Sequence, residues 1–141
     1  MSYEMFFKKN QKLKSNVKFP ATKALIDENG EPLLWEIKPI PVRTYDAIRI
    51  ECTKEIPIPG KFGMYREKVD SDRLQVKLIC ASVVYPDLNN KELQDSYGVM
   101  GAEELVKEMI GTSGELMQFS EFIQKYNDFE PLQEKVDEAK N

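Results

Sequence analysis

The sequence predicts a mainly α domain of the α+β class, compact and helical, with one or two small β-hairpins near its N-terminal half. Three observations carry this. From residue 70 onward apolar residues recur at helical spacing between legible cap signals. Asn29-Gly30 and a Pro/Gly-rich stretch over 56–65 cut the N-terminal half into short extended pieces. Hydrophobic residues make up 41% of 141, enough apolar surface for one core.

In chain order, residues 1–18 hold lysines and helix formers without a clean 3.6-residue period. They read as a basic, flexible arm ahead of a single domain over 19–141. Phe19–Ile26 and Leu33–Ile40 flank Asp27-Glu28-Asn29-Gly30, a hairpin signal because Asn and Gly both tolerate positive φ. Alternation puts Trp35 and Ile37 on the buried face of the second strand. After Pro39 and Pro41, Thr44 is placed to cap a helix running to about Lys54, with Tyr45, Ile48 and Cys52 on one stripe. The prolines of 56–65 exclude a helix there, and Gly60 and Gly63 suggest an exposed loop or a second small hairpin.

Asp70-Ser71-Asp72 opens the most apolar stretch, Leu74 to Tyr85, which reads as a central helix. Leu78–Tyr85 taken alone also fits a buried strand, since a short apolar run does not separate the two. Asn89 and Glu92 form a variant capping box, with Leu88 and Leu93 as its hydrophobic staple, for a helix stopping at Gly98. Gly101 to Gly111 brackets a helix with Leu105, Val106, Met109 and Ile110 on its apolar face. Thr112 and Glu115 form a capping box for the next, whose stripe is Leu116, Phe119, Ile123 and Tyr126. Residues 131–141 read as a weak, acidic terminal helix.

Charge is polarised. Residues 1–26 carry six lysines and one acid, +5, whereas residues 87–141 carry five basic and thirteen acidic groups, −8. This favours a binding partner or self-association. The absence of histidine removes the usual general base and the commonest zinc ligand. Cys52 and Cys80 lie on apolar stripes, lack metal-ligand spacing, and read as buried structural thiols. The N-terminus has no signal-peptide order and no run is long enough to span a membrane, so a cytoplasmic protein is expected.

No cofactor, metal or catalytic constellation is expected. Asp70 and Asp72 are better read as acids at a helix start than as magnesium ligands. Gly60-Lys61-Phe62-Gly63 lacks the spacing and the Ser/Thr of a phosphate loop. Candidate partner-binding residues are the aromatics in excess of one core face: Phe6 and Phe7 in the arm, and Phe122, Tyr126 and Phe129 near the last helix. For the lysines of the arm with Phe6, Phe7 and Phe19 a solvated arm is the first reading, docking on an acidic protein surface such as the −8 end of a neighbouring copy the second, and nucleic-acid binding the third.

Four ordered segments carry a family resemblance: Asp27-Glu28-Asn29-Gly30-Glu31-Pro32 with Trp35-Glu36-Ile37-Lys38-Pro39-Ile40; Cys52-Thr53-Lys54 with Ile58-Pro59-Gly60-Lys61; Val83-Val84-Tyr85-Pro86-Asp87-Leu88-Asn89; and Glu92 through Leu105. Together they resemble the XkdN-like phage tail assembly chaperones of prophages in Gram-positive hosts, from about residue 19 to the C-terminus. The resemblance implies a non-enzymatic protein of the host cytoplasm, absent from the finished virion, that binds the tape measure protein and assists tail tube assembly. It also implies the tail tube protein and a −1 frameshifted longer form of the chain as further partners. Ala139-Lys140-Asn141 is compatible with a slippery heptamer. The alternatives are a structural tail-completion or head–tail connector protein and a nucleic-acid-binding regulator.

Overall fold

A computed structural model describes residues 2–129. The terminal helix expected over 131–141 and the frameshift site lie outside them. Two short 3-10 turns, Glu4–Phe6 and Lys8–Asn10, precede strand β1 (Val17–Phe19). Then come β2 (Trp35–Ile37), α1 (Val42–Glu51), β3 (Thr53–Pro57), β4 (Tyr65–Val69) and α2 (Ser71–Ser82). β5 (Val83–Tyr85), α3 (Lys91–Ser96), α4 (Ala102–Met109) and α5 (Ser113–Tyr126) complete the order. A three-stranded sheet β1-β2-β5 and a separate β3-β4 hairpin make the α+β fold expected.

The first hairpin forms only at its two ends. β1 pairs antiparallel with β2, Val17 opposite Ile37 and Phe19 opposite Trp35, and a single bridge joins Ile26 to Pro32 near the turn. Between them Pro20 cannot donate to a ladder, and buried Thr22 bonds elsewhere. At the turn the Asp27 carboxylate accepts from the amides of Asn29 (2.8 Å) and Glu31 (3.0 Å), so Gly30 is the residue that takes positive φ (81°). β1 also begins at Val17, two residues inside the segment expected to be arm.

Four boundaries move. α1 starts at Val42 behind Pro41 rather than at Thr44, and ends at Glu51 because Thr53 and Lys54 are drawn into pairing with Val69 and Lys68. The apolar stretch 74–85 is neither all helix nor all strand. It is helical to Ser82, then Val83 joins β2 opposite Ile37. β-branched Val83 and Val84 favour the change, and Ser82 fixes it: its hydroxyl donates to the Lys38 carbonyl (2.7 Å), and the Lys38 amide donates to the Ser82 carbonyl (2.8 Å). The cap of α3 is Asn90, not Asn89. Its side chain accepts from the Leu93 amide at 2.8 Å, while buried Leu88 and half-buried Leu93 both join the core.

Asp70 caps α2 by accepting from the Arg73 amide (3.2 Å), and Thr112 caps α5 by accepting from the Glu115 amide (3.2 Å). The core lies where the sheet meets α2, α4 and α5: Trp35, Ile37, Ile79, Leu105, Val106, Phe119 and Ile123 are all 0–1% exposed. Trp35 meets Phe119 edge-on, with ring centroids 5.5 Å apart at 80°.

Candidate interaction surface

The sheet and α5 decide which aromatics are available. Phe19 on β1 stacks on Phe122 with centroids 4.0 Å apart and rings within 17°, so Phe122 is half-buried beneath the sheet edge. Tyr126 stacks beyond Phe122 at 6.5 Å, and its hydroxyl donates to the Ser15 carbonyl. Lys14 sits over the Tyr126 ring, 5.1 Å from its centroid, and its ammonium donates to Asp128 Oδ1 at 2.9 Å and to the Tyr126 carbonyl. Phe129 leans on Tyr45 of α1 (centroids 5.1 Å) and stays 40% exposed. Three of the five sequence candidates therefore gather where the arm is rooted on the end of α5.

Phe6 and Phe7 lie apart from that root. They are 82% and 51% exposed, on an arm that also presents Tyr3, Met5 and Leu13. The described hydrogen bonds of residues 2–13 stay within the arm: turn bonds such as Phe6 N–H to the Tyr3 carbonyl, and the Asn10 amide to the Glu4 carbonyl. Lys14 is where the side-chain bonds to the body begin.

Two further surfaces carry no periodic signal and escape sequence reasoning. The β3–β4 hairpin exposes Phe62 fully at its tip, with Met64 and Tyr65 more than half exposed. The glycines and prolines there signal exposure, but not that apolar side chains crown it. The second is an open groove of about 1480 Å³ bordered by α2, α4 and α5. Met100 and Met117, 90% and 59% exposed, stand on it beside Leu116, Glu103, Glu104 and Glu121. Methionine adapts its shape to what it meets.

Charges clamp the helices around this groove. Lys77 on α2 reaches Glu51 of α1 (2.7 Å) and Glu103 of α4 (3.7 Å), and Arg73 reaches the same two acids (3.4 and 3.7 Å). The Lys77 hydrogen bond holds the Glu51 carboxyl below its ordinary range and raises the Lys77 ammonium. Across the molecule, Glu115 reaches out beyond its own cap. It accepts from the Thr22 hydroxyl (2.9 Å) and the Lys23 amide (2.7 Å), and these bonds hold its pKa low. The Thr22 oxygen also accepts from the amides of Ala24 and Gly111, both at 3.1 Å. The residues of both clusters hold elements together.

Burial raises both thiols, Cys80 to about 11, so neither is a thiolate at neutral pH. Among the described residues no group of three or more Cys, Asp and Glu could hold a metal ion. No described helix is long and apolar enough to cross a membrane.

A family model described as phage XkdN-like tail assembly chaperone protein matches residues 3–140, so the match reaches into the arm and not merely from residue 19. The phage-like element PBSX protein XkdN of Bacillus subtilis (strain 168) is 28% identical over 126 residues, covering 89% of this chain and 84% of that protein. The uncharacterized protein YqbN of the same strain is 26% identical over 135 residues, covering 95% and 89%. A crystal structure of the protein YqbN superposes with a TM-score of 0.75 at 21% identity, covering 92% of this chain and 98% of the other. That likeness concerns the fold.

Proposed function

The chain belongs to the phage XkdN-like tail assembly chaperone family, and from that premise we propose that it is a non-enzymatic chaperone that binds the tape measure protein in the host cytoplasm and assists tail tube assembly around it. The observation that carries this reading is the arm: Phe6 and Phe7 are presented to solvent among Tyr3, Met5 and Leu13, on a segment whose hydrogen bonds leave the folded body alone. Exposed apolar clusters of this kind mark interaction sites.

A tape measure protein is long and helical, and apolar seams on such a chain aggregate until covered. The arm offers aromatic rings for those seams and Lys8, Lys9 and Lys12 for acidic flanks. Tyr126 and Phe129 continue the surface where the arm leaves the body, and Phe122 supports them from beneath. The acidic body keeps the complex soluble. The tail tube protein and a frameshifted form of the chain are the further partners of this reading.

Co-expression with tape measure fragments tests it. The full chain keeps an otherwise insoluble fragment in solution and co-purifies with it, and Phe6→Ser with Phe7→Ser weakens capture at least tenfold while the chaperone stays folded. No capture across fragments spanning the client contradicts the reading. Presence of the chain in purified virions would instead assign a structural tail component.

A further inference from the structure

The β3–β4 hairpin breaks a rule of strand pairing. In its register Lys54 stands opposite Lys68, and Glu55 opposite Glu67. Like charges facing each other across a ladder destabilise it. The Asp70 amide donates to the Cys52 carbonyl (2.8 Å) and the Ile58 amide to the Met64 carbonyl (3.0 Å), so even-numbered residues form the hydrogen-bonded pairs. Glu55 and Glu67 therefore occupy the closer, non-hydrogen-bonded spacing. Lys54 is relieved by Asp70 at 3.4 Å, whereas Lys68, Glu55 and Glu67 have no ion pair among the described residues.

Alternation along the strands sorts these charges by face. One face holds Lys54, Arg66 and Lys68 around Ile56, Ile58 and Met64; the other holds Glu55, Glu67 and Tyr65. No other element packs extensively along the hairpin, and every residue of β4 is exposed. A two-stranded hairpin is marginal in water by itself. A face of one sign becomes favourable once a surface of the opposite sign lies across it.

The chain carries such a surface. Residues 53–69 hold four basic and two acidic groups, +2, while residues 87–129 hold three basic and nine acidic groups, −6. The groove lining carries five acidic against three basic groups, with Glu104 also meeting Lys107 at 3.5 Å; Met100 and Met117 form its apolar seat, with Glu104 and Glu121 beside them. We infer that the β3–β4 hairpin is an intermolecular arm whose basic face and Phe62 tip dock on the acidic α4–α5 groove of a second copy of this chain. Edge-to-edge pairing does not compete. Pro57 removes a donor from β3, and a symmetric register of β4 with itself centred on Glu67 sets Glu67 against Glu67 and Arg66 against Lys68. Two different patches meet, so copies either add head to tail in a row or close as a two-fold pair in which each hairpin takes the other copy's groove. This holds whatever the client is.

Sedimentation of the full chain tests it. The expected result is concentration-dependent self-association that weakens at least tenfold between about 0.05 M and about 0.5 M salt. Two variants each stay monomeric alone: Arg66→Glu with Lys68→Glu, which spoils the hairpin, and Glu104→Lys with Glu121→Lys, which spoils the groove. Mixed, they form a one-to-one dimer that grows no further, because each retains the patch the other lacks. Phe62→Ser, outside the charged set, weakens association without touching either charge pattern. Lys68→Glu alone relieves the internal clash with Lys54, so hairpin amides exchange more slowly even as association weakens. A wild-type chain that is monomeric at a few hundred micromolar in low salt overturns the inference, as does a mixture that stays monomeric. Loss of client capture in the hairpin variants, with the wild type monomeric, would overturn it by assigning the hairpin to the client.

Discussion

The sheet side of α5 and the two projecting segments use the same kinds of side chain to opposite ends. On α5, aromatics close on one another: Trp35 meets Phe119 edge-on, and Phe119, Phe19 and Phe122 stack from the core to the sheet edge. On the arm and the hairpin, Phe6 and Phe62 meet solvent. Charges divide in the same way. Lys77 and Arg73 are satisfied by Glu51 and Glu103, whereas Lys68 and Glu67 face their own kind. The contrast teaches that the energy holding the fold together and the surface available to a partner reside in different segments, and can be altered separately.

The largest expected effect sharpens that division. Phe119→Ala empties the centre of these aromatics and should cost about 3–5 kcal/mol in urea unfolding, while Phe62→Ala should stay within about 0.5 kcal/mol. Equal costs would erase the distinction. Next comes Thr22→Val, which keeps shape but removes a buried hydroxyl serving Glu115, Gly111 and Ala24. A loss of about 1–3 kcal/mol is expected by the same assay. Relieving the hairpin should act in the other direction: Glu67→Lys should stabilise residues 53–69 by about 0.2–1 kcal/mol in native-state hydrogen exchange.

How much of this could be read from the chain depends on whether the signal is local. The helix caps Asp70 and Thr112 act on amides three residues away, and Trp35 and Ile37 declare their face by alternation, so these were legible. The switch from α2 to β5 was not, because Val83 becomes a strand only by finding Ile37 of β2, forty-six positions earlier in the chain. Thr22 is likewise tied to Glu115, ninety-three positions away. The candidate surface divided along the same line. Phe6 and Phe7 stand exposed as a polarised basic arm suggests, whereas Phe122 is drawn under β1 by Phe19, a partner that no helical wheel contains.

The carboxylate of Glu115 gives a smaller test through pH. Its folded pKa lies below its ordinary value of 4.5 because the Lys23 amide and then the Thr22 hydroxyl bond the ionised form. A depressed carboxylate contributes stability above its unfolded pKa and loses it as pH falls through the folded pKa. The wild type should therefore lose stability on acidification from about pH 5 to about pH 3, and Glu115→Gln should lose less over the same window. Parallel curves would remove Glu115 from the account. The smallest effect is expected from removing residues 2–13, whose bonds stay among themselves: midpoint and slope in urea should not change.

Hydrogen–deuterium exchange of the full chain, free and bound to a tape measure fragment, tests the separation of stability from binding most directly. The account predicts new protection in residues 2–13 and around Phe129, with the amides of β2, α2 and the core face of α5 already slow and unchanged. Protection that appears first in those core elements, with the arm as unprotected bound as free, would contradict it.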